Sequence, residues 1–310
     1  MAGTIYAKIA VLGCGLIGSS IVRAARIHGV AGQITVFDLN PEVRARVAEL
    51  GIADVVASDP AQAVEDADLV VLAPPPSAIA AAAEACAPGL KPGATLTDVG
   101  SVKGPISQAL AAAAPPGVFV VPGHPIAGTE FSGPDAGFPE LFHDRWTILT
   151  PQQNLEPSYA EAVQRLVGFW EGIGARVELM DERHHDLVLA VTSHLPHLIA
   201  YNIVGTAADL EEVTQAEVMK YSAGGFRDFT RIAASDPVMW RDVFVLNKDA
   251  VLEILARFTE DLQALSRAIR WGEGDKLEEL FTRTREIRRG VIALGQESAE
   301  PNWGRDRERK

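Results

Sequence analysis

The chain has 310 residues, of which 47% are hydrophobic and 22% charged, and its formal net charge is −13. The length allows two domains, and the acidic charge argues against nucleic-acid partners and anionic membranes, which bind basic surfaces. No apolar run approaches the ~20 residues of a membrane span, and the chain start leaves no room for a signal peptide. Two cysteines are too few for a disulfide framework, so we expect a cytoplasmic protein.

The first predicted elements are a strand, a glycine-rich turn, a helix and a second strand. The apolar segment Lys8–Leu12 predicts a buried parallel strand, and the sequence Gly-Cys-Gly-Leu-Ile-Gly follows it at once. The second predicted strand, Ile34–Phe37, ends in Asp38. Strand, turn, helix, strand and acid in this order are the pattern of a dinucleotide-binding unit.

Each part of this unit has a physical role in binding NAD. Gly13 permits the tight turn, Gly15 lets the backbone approach a pyrophosphate, and Gly18 lets helix and strand pack closely. The helix N-terminus offers N–H groups to the phosphates, and Asp38 favours the ribose of NAD over the 2′-phosphate of NADP. A glycine-rich turn in another kind of α/β domain is the alternative. The predicted cofactor-binding residues are Gly13, Gly15, Leu16, Ile17, Gly18, Asp38 and Ser101.

Strand and helix patterns alternate up to residue 181. This alternation predicts a Rossmann-like, doubly wound and mostly parallel sheet in a dinucleotide-binding domain of residues 5–181. The further predicted strands are Leu69–Leu72, Thr95–Val99, Val118–Val121, Thr147–Leu149 and Arg176–Met180. The predicted helices between them are Pro41–Leu50, the alanine run after Ser77, Ile106–Ala113 and Tyr159–Gly172.

The pattern after residue 181 is helical, which predicts an all-α substrate and dimerisation domain over residues 182–295 and a flexible tail over residues 296–310. Pro196 lies inside a helical stretch and should kink it, because proline cannot donate to the carbonyl of Thr192.

A long helix is predicted to begin at Asp236-Pro237, an acid that caps a helix followed by a proline in its first turn. It could continue to Arg270, a length of about 50 Å. Its apolar stripe from Val251 to Ile269 is more often intramolecular core than a subunit interface. Even so, a helix this long in a small helical domain commonly packs against a second subunit, so we expect a homodimer. A final helix is predicted at Lys276–Leu294.

His124 is the candidate catalytic base. It lies in a predicted loop after the fifth strand, and Ser101 lies in the loop after the fourth, both at the carboxyl edge where open parallel sheets bind ligands. Histidine titrates near neutral pH and suits removal of a hydroxyl proton as hydride leaves. Ser101 is expected to hydrogen-bond the imidazole and set its tautomer. The alternative is a loop histidine bound only by backbone groups.

The helical half contributes two further candidates, Ser193 and His197, which are one helical turn apart on one face. The kink at Pro196 would turn that face towards a cavity, whereas an ordinary polar helix surface is the alternative. Zinc ligation by His194 with His197, or by His184 with His185, lacks a completing ligand at the usual spacing, so no metal is expected.

Arg231 stands just before a run of short apolar residues, where a surface arginine has little reason to be. Its guanidinium is a candidate for a bidentate contact with a substrate carboxylate. A salt bridge to Asp228 or Glu130 is the alternative.

Five ordered stretches of the chain resemble the prephenate/arogenate dehydrogenases of tyrosine biosynthesis, and the resemblance extends from about Lys8 to Leu294. The stretches are Val11–Ser20, Asp98–Lys103, Gly123–Glu130, Ser193–His197 and Gly224–Asp242.

The resemblance implies NAD-dependent oxidative decarboxylation of prephenate, L-arogenate or both. His124 would take the proton of the ring C4 hydroxyl while a hydride passes to the nicotinamide, Ser101 would support His124, and Arg231 would bind a substrate carboxylate. The other residues implied are Ser193 and His197 in the pocket, Glu130 as a transient partner of Arg231, and Asp228 and Trp240 at the border of the site, reached in part from the partner subunit.

Two other functions remain open. Another NAD-dependent dehydrogenase acting on a 3-hydroxy acid would usually depend on a lysine in its helical half. A non-catalytic NAD sensor would need a module for a partner or for DNA, which neither charge nor motifs supply.

Overall fold

The computed structural model describes residues 3–129, 131–153, 156–214 and 224–293. The chain forms two compact units, Met1–Leu252 and Glu253–Lys310. The domain boundary expected after residue 181 stays a prediction, and the tail expected over residues 296–310 lies outside the described residues.

The larger of two sheets has six parallel strands, which are β1 (Tyr6–Leu12), β2 (Ala31–Phe37), β3 (Val55–Val56), β4 (Leu69–Leu72), β5 (Thr95–Asp98) and β6 (Phe119–Val120). Their order across the sheet is β3-β2-β1-β4-β5-β6. This is the order of a doubly wound dinucleotide-binding fold, so the predicted Rossmann-like sheet is confirmed. The direction of winding reverses between β1 and β4, and ligands bind beyond the carboxyl ends of the strands there.

The smaller sheet consists of β7 (Gly123–Pro125), β8 (Trp146–Leu149) and β9 (Arg176–Leu179), with β7 antiparallel to β8 and β8 parallel to β9. The expectation that His124 lies in a loop was wrong, because it is the central residue of β7 and pairs with Ile148. The last two predicted strands also belong to this second sheet rather than to the first.

The described residues also form α-helices. They are α1 (Leu16–His28), α2 (Pro41–Leu50), α3 (Pro60–Val64), α4 (Ile79–Cys86), α5 (Gly104–Ala113), α6 (Pro157–Gly172), α7 (Glu182–Leu189), α8 (Leu195–Thr214), α9 (Gly224–Thr230), α10 (Pro237–Leu246), α11 (Lys248–Arg270) and α12 (Gly274–Ala293).

Strand β1 is buried on both faces, as its nearly continuous apolar sequence predicts. Ile9 and Val11 point into one core cluster, which also contains Trp170 of α6. Ala10 and Leu12 point into a second cluster on the opposite face. The two clusters hold the carboxyl edge of the sheet between two packed layers of helices.

Helix α7 continues into α8 through a π-turn, Ala190–His194. Pro196 lies one residue into α8 and has no N–H for the carbonyl of Thr192, so the irregularity expected there takes the form of this widened turn. The helix Glu182–Asp209 is long and apolar enough by length and composition to cross a membrane. The same segment carries the buried polar side chains of His185, Asp186 and His194.

The single long helix expected from Pro237 to Arg270 was wrong. The predicted start is present, since the carboxylate of Asp236 accepts hydrogen bonds from the backbone of Val238 and Met239 at 2.8 Å. However, α10 ends at Leu246, and Asn247 leaves helical geometry at φ −99°, ψ 29° before α11 begins. The side chain of Asn247 is engaged with α7 and the π-turn, which fixes the break.

Candidate active site

The glycine turn between β1 and α1 has the steric properties that a phosphate site needs. Gly13 has φ +93°, and a Cβ there would lie 2.5 Å from the backbone of Ala73. A Cβ on Gly18 would lie 2.0 Å from the carbonyl oxygen of Gly13. By contrast, a Cβ on Gly15 would meet nothing within 4 Å, and Gly15 opens α1 without a side-chain cap. The turn therefore leaves open space at the N-terminus of α1, where Leu16 and Ile17 begin the helix.

Asp38 lies at the end of β2 beside this turn. One carboxylate oxygen accepts a hydrogen bond from the backbone N–H of Cys14 at 2.8 Å, and the other accepts from Asn40 at 2.9 Å. Asp38 is half-buried, and the hydrogen bond to Cys14 holds its carboxylate beside the glycine turn. This is the arrangement expected for an acid that binds ribose hydroxyls.

The carboxyl ends of the central strands are aligned in register. Leu12 pairs with Leu72 across β1 and β4, and Leu72 pairs with Asp98 across β4 and β5. Asp98 therefore lies two strand spacings, about 10 Å, from the start of the glycine turn. Its carboxylate accepts a hydrogen bond from the backbone N–H of Gly123 at 3.2 Å, which places β7 at the same edge.

A buried lysine holds these segments together. Lys103 pairs with the carboxylate of Asp98, and neither side chain is exposed to solvent. The Lys103 ammonium also donates to the carbonyl of Gly123 at 2.6 Å. Burial lowers the pKa of Lys103, and the charge of Asp98 opposes that shift. The pair thus positions the residue immediately before His124.

His124 contacts His185, which in turn contacts Asp186, and the sequence predicted neither partner. Its Nδ1 lies 2.9 Å from Nε2 of His185, and Nδ1 of His185 lies 2.8 Å from Oδ1 of Asp186. The carboxylate of Asp186 accepts hydrogen bonds from the backbone N–H groups of Lys103 and Gly104, at 2.7 and 2.8 Å. These N–H groups form the N-terminus of α5, so an anion is favoured there.

Burial shifts the pKa values in the cluster formed by His124, His185 and Asp186. It lowers the pKa of His124 well below 6.5, with further contributions from the neighbouring His185, Lys103 and His194. Burial also lowers the pKa of His185, although Asp186 opposes the shift. For Asp186, burial alone would raise the pKa, but hydrogen bonds from His185, Gly104 and Lys103 outweigh it and lower the pKa. Both imidazoles are therefore neutral near pH 7, and Asp186 is ionised.

His194 and Asn247 extend the cluster. The side-chain amide of Asn247 donates to the carbonyl of Asp186 at 2.9 Å and lies 3.1 Å from Nδ1 of His194. His194 is buried, and its Nε2 has no hydrogen-bond partner among the described residues. Burial lowers the pKa of His194 to about 4.

The predicted pocket residues of the helical half lie next to this cluster. His197 stacks on Trp240 with ring centroids 3.6 Å apart, and Trp240 meets His194 edge-on at 6.1 Å. Nδ1 of His197 donates to the carbonyl of Ser193 at 2.9 Å. Trp240 also packs in one cluster with Val102, beside Ser101 in sequence. Trp240 therefore lies beside His194 and His197 of its own chain.

Arg231 is exposed and close enough to His197 for its charge to lower the pKa of that histidine, after the larger effect of burial. Within the described part of the chain, no ion pair or hydrogen bond engages its guanidinium. The alternative partner Asp228 lies instead 3.6 Å from Arg227. Glu130, the other alternative, lies outside the described residues.

Ser101 does not hold the imidazole as expected. No hydrogen bond of the described residues joins Ser101 to His124, and His185 occupies the Nδ1 side of the ring instead. The reason is non-local, since Asp186 of α7 binds the N-terminus of α5 and the adjacent His185 contacts His124. Ser101 keeps its predicted place in the loop after β5, half-buried at the same edge.

The residues that the sequence did not reveal are His185, Asp186, His194 and Asn247, together with the Asp98–Lys103 pair. The available signal was an adjacent histidine and aspartate in the polar first turns that precede a long apolar helical stretch. No cluster of three or more His, Cys, Asp or Glu suited to a metal ion occurs in the described ranges.

Two family models match the chain. Residues 21–179 match the model described as prephenate dehydrogenase, nucleotide-binding domain. Residues 181–283 match the model described as prephenate dehydrogenase, dimerization domain.

Several known proteins are similar to this chain in sequence and in fold over nearly its whole length. The cyclohexadienyl dehydrogenase of Zymomonas mobilis is 43% identical over 285 residues, covering 92% of this chain and 96% of that protein. The crystal structure of prephenate dehydrogenase from Aquifex aeolicus, in complex with hydroxyphenyl propionate and NAD+, has a TM-score of 0.84 at 34% identity and covers 92% of this chain and 98% of its own. Synechocystis arogenate dehydrogenase has a TM-score of 0.79 at 26% identity and covers 92% and 99%.

Proposed function

The chain belongs to the prephenate dehydrogenase family, and from that premise we propose that it is an NAD-dependent oxidoreductase that oxidatively decarboxylates prephenate, L-arogenate or both. The products are 4-hydroxyphenylpyruvate or L-tyrosine, CO2 and NADH. The observation that carries the proposal is the neutral, buried His124 at the same edge of the sheet as the glycine turn.

The residues of the first turn fit NAD. The space over Gly15 and the uncapped N-terminus of α1 suit a pyrophosphate, and the half-buried carboxylate of Asp38 suits two ribose hydroxyls. When bound, NAD supplies the acceptor for a hydride. The carboxylate of Asp38 opposes a 2′-phosphate, so we expect NAD to be preferred over NADP.

His124 acts on the hydroxyl proton of the substrate. Its Nε2 has no hydrogen-bond partner among the described residues, whereas Nδ1 is held by His185. A neutral imidazole accepts the C4 hydroxyl proton as the C4 hydride leaves, which gives a carbonyl at C4. Loss of CO2 from the ring then gives a phenolate, to which the proton on His124 returns. The ring becomes aromatic, and no net proton is released.

Arg231, His197 and Trp240 form the proposed substrate-carboxylate region. Arg231 supplies a cation without a partner among the described residues, and the stacked rings of His197 and Trp240 supply a flat wall. A free guanidinium binds a carboxylate through two parallel hydrogen bonds. Since the chain is strongly acidic, this local cation is what captures an anionic substrate. Ser193 borders the same region, and Ser101, Glu130 and Asp228 remain proposed site residues.

We also propose a homodimer formed through the helical domain, with the domain boundary after residue 181 and a cytoplasmic location. The model matched over residues 181–283 is described as a dimerization domain. Leu252, Leu262 and Ile269 of α11 are exposed in the single chain, at 60, 48 and 65%. Apolar side chains at this level of exposure along one helix suit a subunit interface.

The test is steady-state formation of NADH with prephenate, L-arogenate and a set of 3-hydroxy acids, measured side by side. We expect turnover of a cyclohexadienol substrate and a fall of ~10²–10⁴-fold in kcat for His124→Asn, with little change in substrate binding. Turnover of a 3-hydroxy acid alone would favour the rival dehydrogenase. An unchanged kcat in His124→Asn would remove the assigned base.

A further inference from the structure

We propose that His185 and Asp186 are positioning residues that fix His124 as the Nδ1–H tautomer, so that the lone pair of Nε2 is the one presented to the substrate. The inference rests on the proposed function for its catalytic meaning. The tautomer itself is a property of the free protein.

The direction of the hydrogen bonds is set at Asp186. Each carboxylate oxygen of Asp186 accepts from a backbone N–H of the α5 N-terminus, Lys103 to Oδ1 and Gly104 to Oδ2. Backbone N–H groups only donate, so the two oxygens that face them must accept. The carboxylate is thus held in its ionised form, also favoured by the helix dipole.

The ionised carboxylate of Asp186 fixes the direction of its hydrogen bond with His185. Oδ1 of Asp186 has no proton to give, so the 2.8 Å contact requires His185 to donate from Nδ1. A neutral imidazole carries one N–H, which leaves Nε2 of His185 as an acceptor. Burial lowers the pKa of His185, which keeps this ring neutral near pH 7.

The third bond follows in the same way. Nε2 of His185 accepts, so the 2.9 Å contact requires His124 to donate from Nδ1. The neutral ring of His124 then has its lone pair on Nε2, the nitrogen without a partner among the described residues. The opposite tautomer would place two lone pairs against each other across 2.9 Å and would block the base with a proton. In other enzymes a carboxylate orients a catalytic histidine directly, whereas here a second histidine lies between them.

His194, in the same site, serves as an internal reference for the tautomer measurement. The amide of Asn247 must present its NH2 group to the carbonyl of Asp186, so the same nitrogen also donates to Nδ1 of His194. His194 is therefore fixed as the opposite tautomer, Nε2–H. Two opposite tautomers are expected within one cluster.

The direct experiment is a long-range ¹H–¹⁵N correlation spectrum of the full chain labelled with ¹⁵N-histidine, without substrate. Single variants His124→Asn, His185→Gln and His194→Asn assign the signals. We expect a protonated Nδ1 and an unprotonated Nε2 for both His124 and His185, and the reverse for His194. Protonation of His124 at Nε2 would overturn the proposal.

Kinetics test the positioning role. His185→Gln can still place a carbonyl oxygen towards Nδ1 of His124, whereas His185→Leu offers no acceptor. We expect the Leu variant to lose ~10²–10⁴-fold in kcat and the Gln variant to retain at least about ten times more, with similar KM for NAD. The exposed His184 provides a matched control on the same helix, and His184→Gln should leave kcat unchanged.

Asp186→Asn provides an independent variant. The amide of asparagine has one acceptor oxygen and one NH2 donor group, so it cannot accept at both positions as the carboxylate does, and the tautomer of His185 is no longer fixed. We expect mixed or inverted tautomers at His124 and a fall in kcat. Equal kcat in the Gln and Leu variants, or an unaltered His124 tautomer in Asp186→Asn, would contradict the inference. Absence of turnover in the wild type would contradict the proposed function and leave the tautomer assignment standing.

Discussion

Lys103 and Asp98 form an ion pair in which neither side chain is exposed to solvent, and the pair joins the end of β5 to the start of β7. Removing one member leaves the other charge buried and unpaired. We expect Lys103→Met to lower the free energy of unfolding by about 3–5 kcal/mol. The measurement is equilibrium unfolding in urea. Combining Lys103→Met with Asp98→Asn should recover part of the loss, and a single variant as stable as the wild type would show that the charge is solvated by other means.

Variants of Gly15 and Gly18 are expected to distinguish an effect on cofactor binding from an effect on folding. Gly15 has an extended backbone and open space around it, so Gly15→Ala should fold normally and yet bind NAD more weakly. Gly18→Ala places its methyl group 2.0 Å from the carbonyl of Gly13 and should destabilise the turn itself. Thermal unfolding with and without NAD distinguishes the two effects. Undiminished NAD affinity in Gly15→Ala would exclude the proposed phosphate position.

Asp38 is expected to decide between NAD and NADP through its negative charge. Asp38→Asn keeps an acceptor for the backbone N–H groups of Cys14 and Asn40 but removes the repulsion of a 2′-phosphate. We expect the ratio of kcat/KM for NAD over NADP to fall by at least about tenfold, since loss of one charge interaction of ~1.4 kcal/mol is a factor of ten. A wild-type preference for NADP would refute this role.

Arg231 is expected to bind the substrate carboxylate. Arg231→Gln should raise KM for the cyclohexadienol by about 10–100-fold, as expected for a lost charge-assisted pair, while kcat changes little. Arg227→Gln is the control, because Arg227 is a neighbouring exposed arginine that lies near Asp228. A fall in kcat alone, with KM unchanged, would show that Arg231 acts on the reaction rather than on binding.

Acid is expected to destabilise the fold through its buried histidines. The pKa of His194 is about 4 in the folded chain and ~6.5 when unfolded, so unfolding takes up a proton between these values. The stability contributed by neutral His194 is present above pH ~6.5 and is lost as the pH falls towards 4, by about 3 kcal/mol in total. The lowered pKa values of His124 and His185 act in the same direction. Urea unfolding at several pH values should show a shallower dependence in His194→Asn than in the control His184→Asn.

The nucleotide-binding half was predictable because its signals are local. The glycine turn, the apolar strand β1 and the acid at the end of β2 each follow from a few consecutive residues, and the order of the parallel strands follows from alternation with helices. The position of His124 at the carboxyl edge also followed from the strand that precedes it. The prediction that His124 lies in a loop was wrong, because a three-residue strand that contains proline has too short a pattern to recognise.

The partners of His124 were not predictable because they depend on tertiary packing. His185 and Asp186 are 61 and 62 residues beyond His124 in sequence, and only the packing of α7 against α5 brings them to it. Asn247 breaks a helix whose apolar periodicity continues past it, since its amide is needed at two buried acceptors. Ser101 was the nearer candidate in the predicted topology, and nothing in the sequence ranked His185 above it.

The π-turn between α7 and α8 sets the rotation of the whole downstream helix. His185 and His194 are nine residues apart, and a regular α-helix, at about 100° per residue, would point them in opposite directions, about 180° apart. A π-turn absorbs one additional residue and reduces that angle to about 80°. Without this widening, the same nine residues would rotate His194 and His197 by about 100° further around the helix axis, so the π-turn governs which side chains lie beside the base.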